Sequence, residues 1–353
     1  MKELLKFNFK YVGDERLLYC AIEKTGCTFW KRIMHVIGGW GNTSNPVDIP
    51  SEDADKFGGY TNFVGVNFTD IYDTFVEAKT VMFVRDPFTR LFSAWLDKFY
   101  SPNPYYWKFA GTYMVKRNRF HTKTKANETV DAPNCGYDVS FEEFIRYVAN
   151  YPKKSCLDPH FSANFRHCMP CQFDFQYIGK YETFKEDTLF LLKELNLTDK
   201  VTFTEFEKDA TYDAIHGLSE WVFLQRPDIE MCNVSFHCAL FRTFKRFQGR
   251  GIIHKTIQFP YDNGTDFDNL TRSEFETKML DLSKVVSTSE KKANRQESLL
   301  QAYKSLPVML LDKLKESLRI DFDMYGYSDS PGYLEGDVVD FNYFETCAEA
   351  GIS

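Results

Sequence analysis

A short segment, residues 24–32 (KTGCTFWKR), concentrates groups that bind anions. Gly26 permits a tight turn, and the backbone N–H groups after it would open a helix N-terminus, which stabilises negative charge. Lys24 adds a mobile positive charge, and Thr25 and Thr28 add hydroxyl donors. The spacing differs from the G-x-x-x-x-G-K-[ST] signature of nucleoside triphosphatases. A phosphate or sulfate site is one interpretation, and a helix start with incidental hydroxyls is the other.

A second segment, residues 83–98 (FVRDPFTRLFSAWLDK), offers another anion-binding pair. Arg85 follows an apolar run that predicts a strand, and Ser93 lies eight residues later on a predicted helix. Asp86 and Pro87 are typical of the first positions of a helix. A guanidinium fork and a hydroxyl can hold one phosphate together. The alternative interpretation is a capped helix with a surface arginine.

Both segments lie at a strand-to-helix junction, and the sequence contains a third junction of the same kind. Each consists of a short apolar run, a turn and an amphipathic helix, and they cover residues 16–37, 80–100 and 175–195. Strands that alternate with helices predict a parallel sheet, with ligands beyond the carboxyl ends of the strands. We therefore predict an α/β fold, a single domain with a central parallel sheet flanked by helices.

The remaining segments divide the chain further. Residues 101–138 predict a long basic surface insertion or lid, with a solvated loop as the alternative. Further helices are predicted over 140–150 and 290–318, the latter bent at Pro307. The acidic residues 329–353 predict a loosely held tail. The basic residues of the insertion are Lys116, Arg117, Arg119, His121, Lys123 and Lys125.

Composition limits the partners and the compartment. The net charge of −7 argues against a protein that coats nucleic acid. No stretch approaches 18 apolar residues, and residues 1–10 lack the apolar core of a signal peptide. Nine cysteines and seven N-x-[S/T] sequons nevertheless favour the secretory pathway. Disulfides are therefore favoured over zinc for Cys168 and Cys171, with pairings that the sequence leaves open. The sequons begin at Asn42, Asn67, Asn127, Asn196, Asn233, Asn263 and Asn269.

Taken in order, these segments resemble the 5′-phosphosulfate and 3′-phosphate motifs of sulfotransferases that use 3′-phosphoadenosine 5′-phosphosulfate (PAPS). The resemblance is to the Golgi carbohydrate sulfotransferases, in the branch of the HNK-1 and the chondroitin, dermatan and N-acetylgalactosamine 4-O enzymes. Residues 160–171 (HFSANFRHCMPC) with 174–182 (DFQYIGKYE) are similar to a third block of that branch, and 320–327 (IDFDMYGY) to its closing block. The resemblance implies a sulfotransferase domain over 15–328 with the P-loop-like fold of that family, after a remnant or stem at 1–14.

The resemblance also implies roles for particular residues. Lys24 would neutralise charge on the leaving 5′-phosphate, while Arg85 and Ser93 would hold the 3′-phosphate. PAPS would be the co-substrate, 3′-phosphoadenosine 5′-phosphate the product, and no metal would be required. Glu23 departs from the family pattern, which has proline there, and would repel the sulfate unless it points away or pairs with a lysine. The residues that would bind PAPS are Lys24, Thr25, Gly26, Cys27, Thr28, Phe29, Trp30, Arg85 and Ser93.

An acceptor hydroxyl needs a base, and histidine is the usual choice near neutral pH. His160 is the first candidate because it matches the leading histidine of the third block. His35, His167 and His121 are alternatives, and a base role for Glu23 is a further one.

The resemblance implies an anionic glycan acceptor and a Golgi-lumenal domain with a type II anchor that this sequence lacks. The first expected acceptor is the 4-O position of N-acetylgalactosamine in chondroitin or dermatan, and the second is glucuronate 3-O. A non-catalytic glycan-binding relative is another alternative, which Glu23 alone favours. A nucleotide-dependent kinase would need a phosphate-loop signature and a metal-binding aspartate, which are not evident. The sequence does not predict the oligomeric state.

Overall fold

The computed structural model describes six stretches of the chain, which form two compact units. The first unit comprises Met1–Leu91, Pro152–Asp213 and Ser317–Asp329. The second comprises Phe92–Tyr151, Ala214–Glu316 and Ser330–Ser353. Each unit therefore draws on three separated segments, so no single point of the sequence divides them. The described residues are 8–56, 58–64, 66–120, 135–150, 157–203 and 205–352.

The first unit holds a five-stranded sheet in the order β3-β1-β2-β4-β5. The strands β2, β4 and β5 are parallel, as the strand–helix alternation predicts, while β1 and β3 extend one edge in antiparallel fashion. The antiparallel edge was not predicted. It arises because a tight turn after β1 brings β2 back directly alongside it. The Arg16 N–H donates to the Gly13 carbonyl and closes this turn. The strands are β1 (Phe9–Val12), β2 (Leu17–Cys20), β3 (Thr61–Asn62), β4 (Lys79–Val84) and β5 (Tyr177–Lys180).

Strand β1 lies within residues 1–14, which the sequence analysis assigned to a remnant or stem. It pairs with β2 in a four-residue register from Phe9 opposite Cys20 to Val12 opposite Leu17. Its first residue, Phe9, is fully buried. Residues 9–12 are therefore part of the sheet rather than a stem, because their apolar side chains enter the core.

Ten helices of at least eight residues accompany the sheet among the described residues, and they confirm the α/β class. The predicted helices at 27–37, 140–150 and 290–318 are present, the last divided into α9 and α10 around Pro307. The helices are α1 (Cys27–Ile37), α2 (Phe68–Glu77), α3 (Pro87–Trp95), α4 (Phe141–Asn150), α5 (Phe184–Glu194), α6 (Phe206–Leu224), α7 (Phe236–Gly249), α8 (Arg272–Ser283), α9 (Thr288–Lys304) and α10 (Val308–Tyr325).

The sheet is covered on both faces because side chains of β2 alternate between them. Leu17 and Tyr19 belong to a core with α1 and α5, whereas Leu18 and Cys20 belong to a core with α2 and the end of α10. Burial on both faces is typical of parallel sheets between helix layers. The carboxyl ends of β2 and β4 lead directly into the loops that precede α1 and α3.

The basic insertion differs from its prediction in the part that the structure describes. Residues 104–120 form consecutive short helical and π-helical turns instead of an open loop. Trp107 anchors them, since its side chain is fully buried and Nε1 donates to the carbonyl of Phe99 at 3.0 Å. Of the basic residues, His121, Lys123 and Lys125 lie outside the described residues.

The C-terminal segment is packed, and the prediction of a loose tail is wrong. Tyr343 is fully buried, and its hydroxyl donates to Glu297 at 2.6 Å. A disulfide joins Cys347 to Cys238 on α7. The Tyr343 hydrogen bond and the Cys347 disulfide therefore hold the C-terminal segment in place although it lacks regular secondary structure.

The expected disulfide is confirmed for Cys168, but the expectation is wrong for Cys171, which is an exposed free thiol. Cys168 is joined to Cys20 at the end of β2, which fixes the segment of the third sequence block against the sheet. Cys27 and Cys171 are free thiols, and Cys156 lies outside the described residues. The remaining two bonds, Cys135–Cys232 and Cys238–Cys347, lie within the second unit.

Candidate active site

The loop between β2 and α1 has the backbone geometry that an oxyanion site requires. Lys24 and Gly26 both have positive φ, 69° and 86°, so the loop turns sharply before the helix starts. A Cβ on Gly26 would lie 2.4 Å from the ring of Phe184, so only glycine fits. Helix α1 begins at Cys27, and the first N–H groups of a helix have no partner within it. These donors are therefore available to an anion.

Side chains of this loop divide into two groups. Thr25 is buried and donates from Oγ1 to the Ile22 carbonyl at 2.8 Å, so its hydroxyl holds the turn instead of facing solvent. Trp30 is fully buried and donates from Nε1 to Thr188. Phe29 packs against three rings, those of Phe184, Phe203 and Phe206. Phe29 and Trp30 thus position the loop as core residues, and only their backbone is suited to an anion.

Thr28 and Lys24 keep contact with solvent, Thr28 being exposed and Lys24 half-buried. The Cys27 thiol is a different case. Burial raises its pKa, which favours the neutral thiol. Lys31, at the end of the segment, pairs with Asp55 at 2.6 Å.

Arg85 contacts the β2–α1 loop directly. It follows β4, and its Nη1 donates to the Lys24 carbonyl at 3.1 Å while its Nε donates to Thr89 Oγ1 at 3.0 Å. The guanidinium also lies over the ring of Tyr181, 4.2 Å from the centroid. Three contacts therefore fix the orientation of this cation, and the first joins the two segments that the sequence analysis predicted to bind anions.

Ser93 lies eight residues after Arg85, on the helix α3 that begins at Pro87. It is half-buried in α3, in the part of the helix that belongs to the second unit. The predicted cap of this helix is confirmed, since the Thr89 N–H donates to Asp86 Oδ1 at 2.9 Å.

Glu23 faces a histidine rather than a lysine. Its Oε2 lies 3.3 Å from Nδ1 of His167. Burial alone would raise the pKa of this carboxyl, but the contact with His167 and the charge of His160 outweigh burial and hold the pKa at about 2. Glu23 is therefore ionised near neutral pH, and such a weak base is a poor acceptor for a hydroxyl proton.

Arg90 is a buried hub that the sequence analysis missed. Its Nε donates to the Glu23 carbonyl at 2.8 Å, and Nη2 donates to the Pro159 carbonyl at 2.9 Å. Nη2 also lies 3.2 Å from Nε2 of His167, so we infer that the ring proton of His167 sits on Nδ1 and faces Glu23. Arg90 thus joins the β2–α1 loop to the segment that carries His160.

Asp321 completes this network from α10. Its carboxylate accepts the N–H groups of Asn164 at 2.7 Å and Phe165 at 2.9 Å, and Asn164 Nδ2 donates to the Arg85 carbonyl at 3.0 Å. Arg90 and Asp321 both belong to the sequence blocks that carried the family resemblance. That membership was the one signal that could have found them.

The histidine candidates have different surroundings. His160 Nδ1 lies 2.9 Å from Asp158 Oδ1, and its side chain is 25% exposed. His35 is fully buried, with Nε2 on the Ala54 carbonyl and Nδ1 on the Gly59 N–H, so both nitrogens serve the fold. His167 is buried in the Glu23 and Arg90 contacts, and His121 lies outside the described residues. His160 remains the candidate with both an orienting carboxylate and access to solvent.

Comparison with known proteins identifies the family. A model described as the sulfotransferase family matches residues 7–221 of the chain. The chain belongs to the sulfotransferase family. Carbohydrate sulfotransferase 11 of Danio rerio is 34% identical over 200 residues, which cover 55% of this chain and 54% of that protein. The rat carbohydrate sulfotransferase 11 is 31% identical over 198 residues, with the same coverage.

Another carbohydrate sulfotransferase is also similar to this chain. Carbohydrate sulfotransferase 12 of Xenopus laevis is 32% identical over 221 residues, which cover 57% of this chain and 51% of that protein. The chain spans about half the length of the curated relatives it matches. No solved structure matches it significantly.

Neither a membrane-spanning helix nor a metal-binding cluster is found among the described residues. Within those stretches, no helix has the length and apolar character needed to cross a bilayer. The same stretches contain no cluster of three or more histidine, cysteine or acidic side chains arranged for a metal ion.

Proposed function

We propose that this protein transfers a sulfuryl group from PAPS to a sugar hydroxyl of an anionic glycan. The observation that carries the proposal is the contact between Arg85 and the Lys24 carbonyl, which joins two anion-binding segments beyond the carboxyl ends of β2 and β4. PAPS carries phosphate at both 5′ and 3′ positions, so a ligand of this kind needs two such segments. The family and its carbohydrate sulfotransferase relatives support the same reaction.

The residues present fit this co-substrate. The helix N–H groups after Gly26, together with Thr28 and Lys24, would hold the 5′-phosphosulfate. Arg85, with Ser93, would hold the 3′-phosphate, since a guanidinium fork suits an oxyanion. PAPS supplies an activated sulfuryl group whose leaving group is a phosphate. Lys24 would neutralise charge that develops on that phosphate, which is the main catalytic contribution expected in such transfers.

His160 would accept the proton of the acceptor hydroxyl at Nε2 while its Nδ1 stays on Asp158. The acceptor oxygen forms a bond to sulfur, the bond from sulfur to the phosphate oxygen breaks, and 3′-phosphoadenosine 5′-phosphate leaves with that electron pair. The carboxylate of Asp158 would orient the ring and stabilise the imidazolium that forms. Glu23 takes no part in the transfer, because it is committed to His167. The non-catalytic alternative therefore loses the feature that favoured it.

The acceptor we propose is the 4-O position of N-acetylgalactosamine in chondroitin or dermatan. The support is the resemblance of the sequence blocks to the 4-O branch. Glucuronate 3-O is the second candidate, on the same resemblance to the HNK-1 enzyme. A described basic residue that suits an anionic chain is Arg117, which lines a groove of about 200 Å³ in the second unit together with Arg146, itself paired with Glu142.

We propose the Golgi lumen as the compartment. Three disulfides indicate an oxidising environment. The described sequon asparagines are also all exposed, as glycosylation requires. These are Asn42, Asn67, Asn196, Asn233, Asn263 and Asn269.

The test is transfer of radiolabelled sulfate from PAPS to desulfated chondroitin, dermatan and a glucuronate-terminated glycan. Lys24→Ala should abolish transfer, whereas Lys79→Ala, an exposed lysine at the opposite end of β4, should leave it unchanged. Label in one glycan identifies the acceptor. Absence of label in every glycan, together with no binding of 3′-phosphoadenosine 5′-phosphate, would refute the proposed function.

A further inference from the structure

The second unit contains a cavity of about 330 Å³ that the transfer site does not use. Its walls come from α7, from residues 255–263 and from the C-terminal residues 341–352. All three belong to the second unit, whereas the β2–α1 loop and Arg85 belong to the first. The volume is at the lower end of the range for small-molecule sites.

The cavity walls are held in place without a ligand. Gln248 on α7 donates from Nε2 to the carbonyls of His254, Lys255 and Ile257, at 3.2, 3.0 and 2.8 Å. On the other side, Asn263 Nδ2 donates to the Gly351 carbonyl at 3.2 Å. The Cys238–Cys347 disulfide ties the C-terminal wall to α7. A pre-formed site loses less conformational entropy when a ligand binds.

The cavity lining holds two lysines, Lys245 and Lys255, and two carboxylates, Asp262 and Glu345, so their formal charges cancel. Lys245 donates to the Asn342 carbonyl at 2.6 Å and lies 3.4 Å from the Glu345 carboxylate. Lys255 pairs with Glu297 at 2.6 Å. Because both lysines already have carboxylate partners, the cavity offers no uncompensated charge to an anion. The lining therefore favours a neutral ligand.

Aromatic side chains form one apolar wall of the cavity. The ring of Phe259 packs against Phe241, Phe244 and Tyr261, with centroids 5.4–5.5 Å apart. Beside it lie polar groups that can bond hydroxyls in either direction, namely the amide of Gln258 and the hydroxyl of Tyr261. Burial raises the pKa of Tyr261, so its hydroxyl keeps its proton.

We propose that this cavity binds a neutral sugar residue. A pyranose ring has an apolar C–H face that suits the aromatic wall, and hydroxyls on its edge that suit the amide and phenol groups. The choice of a sugar among neutral hydroxylated ligands rests on the proposed function. The cavity would then hold a residue of the glycan at a site separate from the transfer chemistry.

The experiment is saturation-transfer NMR with free N-acetylgalactosamine, N-acetylglucosamine and galactose at millimolar concentration. We expect one sugar to bind with a Kd of about 1 mM, since a single ring makes few contacts. Ile352→Trp, which fills the cavity from its C-terminal wall, should remove the signal, as should Phe259→Ala. Phe109→Ala, a phenylalanine of the second unit that is 66% exposed, is the matched control and should retain it.

Thermal melting of each variant shows whether it is folded. If Phe259→Ala is unfolded, the result for Ile352→Trp alone tests the proposal. No signal from any of the three sugars would overturn the proposal, as would an unchanged signal in folded Ile352→Trp. Lys24→Ala separates the two proposals, because it should lose sulfate transfer and keep the sugar signal. Sugar binding by a wild type that neither transfers sulfate nor binds 3′-phosphoadenosine 5′-phosphate would sink the proposed function and leave the cavity proposal standing.

Discussion

Arg85 Nη1 lies 3.1 Å from the carbonyl oxygen of Lys24, so the cation after β4 holds the backbone of the loop after β2. Lys24 has a positive φ of 69°, and the Arg85 guanidinium also lies over the ring of Tyr181. A residue that would bind one phosphate thus also shapes the site for the other. In the proposed site, the two phosphates would therefore be coupled through a single side chain.

Arg85→Lys tests this coupling because it keeps the charge and removes the fork. A lysine has no planar fork to donate to the Lys24 carbonyl and Thr89 together. We expect affinity for 3′-phosphoadenosine 5′-phosphate to fall about 10- to 100-fold, the cost of losing hydrogen bonds to a charged group. Isothermal titration calorimetry measures it, with Arg319→Lys at an exposed position as the matched control. Equal affinity in both variants would show that Arg85 acts only as a point charge.

Gly26→Ala should destabilise the fold as well as the site. The new Cβ would meet the Phe184 ring at 2.4 Å, and φ of 86° is strained for alanine. Together we expect a loss of about 2–4 kcal/mol in the free energy of unfolding. Urea denaturation measures it, and Gly332→Ala, where the space is open, should change it by less than about 0.5 kcal/mol.

The same substitution made in a Phe184→Leu protein separates the steric clash from the backbone strain in Gly26→Ala. With Phe184→Leu the clash is relieved but the backbone strain stays, so the cost of adding alanine should fall to about 1–2 kcal/mol. A cost that does not fall would mean that the ring already moves aside without penalty.

The sequence was sufficient for the parts of the site that are local in the chain. The turn at Gly26, the cap at Asp86 and the helices after them depend on neighbouring residues, and each is present. The packed C-terminal segment depends on partners far along the chain, Cys238 with Cys347 for example, which no local pattern specifies. The same reason applies to Arg90, whose partners Glu23 and Pro159 lie 67 and 69 residues away.

His160→Gln should lower kcat and spare cofactor binding, because a base acts only on the reacting hydroxyl. We expect a loss of about 10²- to 10⁴-fold in kcat, with the affinity for 3′-phosphoadenosine 5′-phosphate unchanged. Asp158→Asn should give a smaller loss in kcat, since Asp158 lies 2.9 Å from the ring and would act on the acceptor only through His160.

His216→Gln is the matched control for His160. His216 also pairs through Nδ1 with a carboxylate, Glu276, at 3.0 Å, and belongs to the second unit. Its replacement should leave kcat unchanged. A His160→Gln enzyme that retains full kcat would remove His160 as the base and return the question to residues outside the described stretches, such as His121.

Glu23 predicts a dependence of stability on pH. Its folded pKa of about 2 lies below the ordinary value of 4.5, so the unfolded state binds the proton more tightly. The stabilisation is therefore complete above pH 4.5 and is lost as the pH falls from 4.5 toward 2. Its upper limit is about 3 kcal/mol. We expect Glu23→Gln to be less stable than wild type at pH 7 and nearly equal to it at about pH 2.

Chemical denaturation of both proteins across this range measures the difference, with Glu15→Gln as the control. Glu15 is also half-buried and pairs with Lys200, but its partner is an exposed lysine, so the pair contributes little. A difference between wild type and Glu23→Gln that does not change with pH would mean that packing, and not the charge on Glu23, stabilises the loop.

Reduction of the Cys238–Cys347 bond should weaken the second unit, because this bond closes a loop of about 109 residues and holds the C-terminal wall of the cavity. Cys347→Ser should lower the free energy of unfolding by about 2–5 kcal/mol. It should also expose Tyr343, which near-ultraviolet circular dichroism would detect. Cys171→Ser, at an exposed free thiol, is the control and should change neither measurement. If Cys347→Ser keeps full stability and the native spectrum, the Tyr343 and Lys245 contacts alone hold the segment.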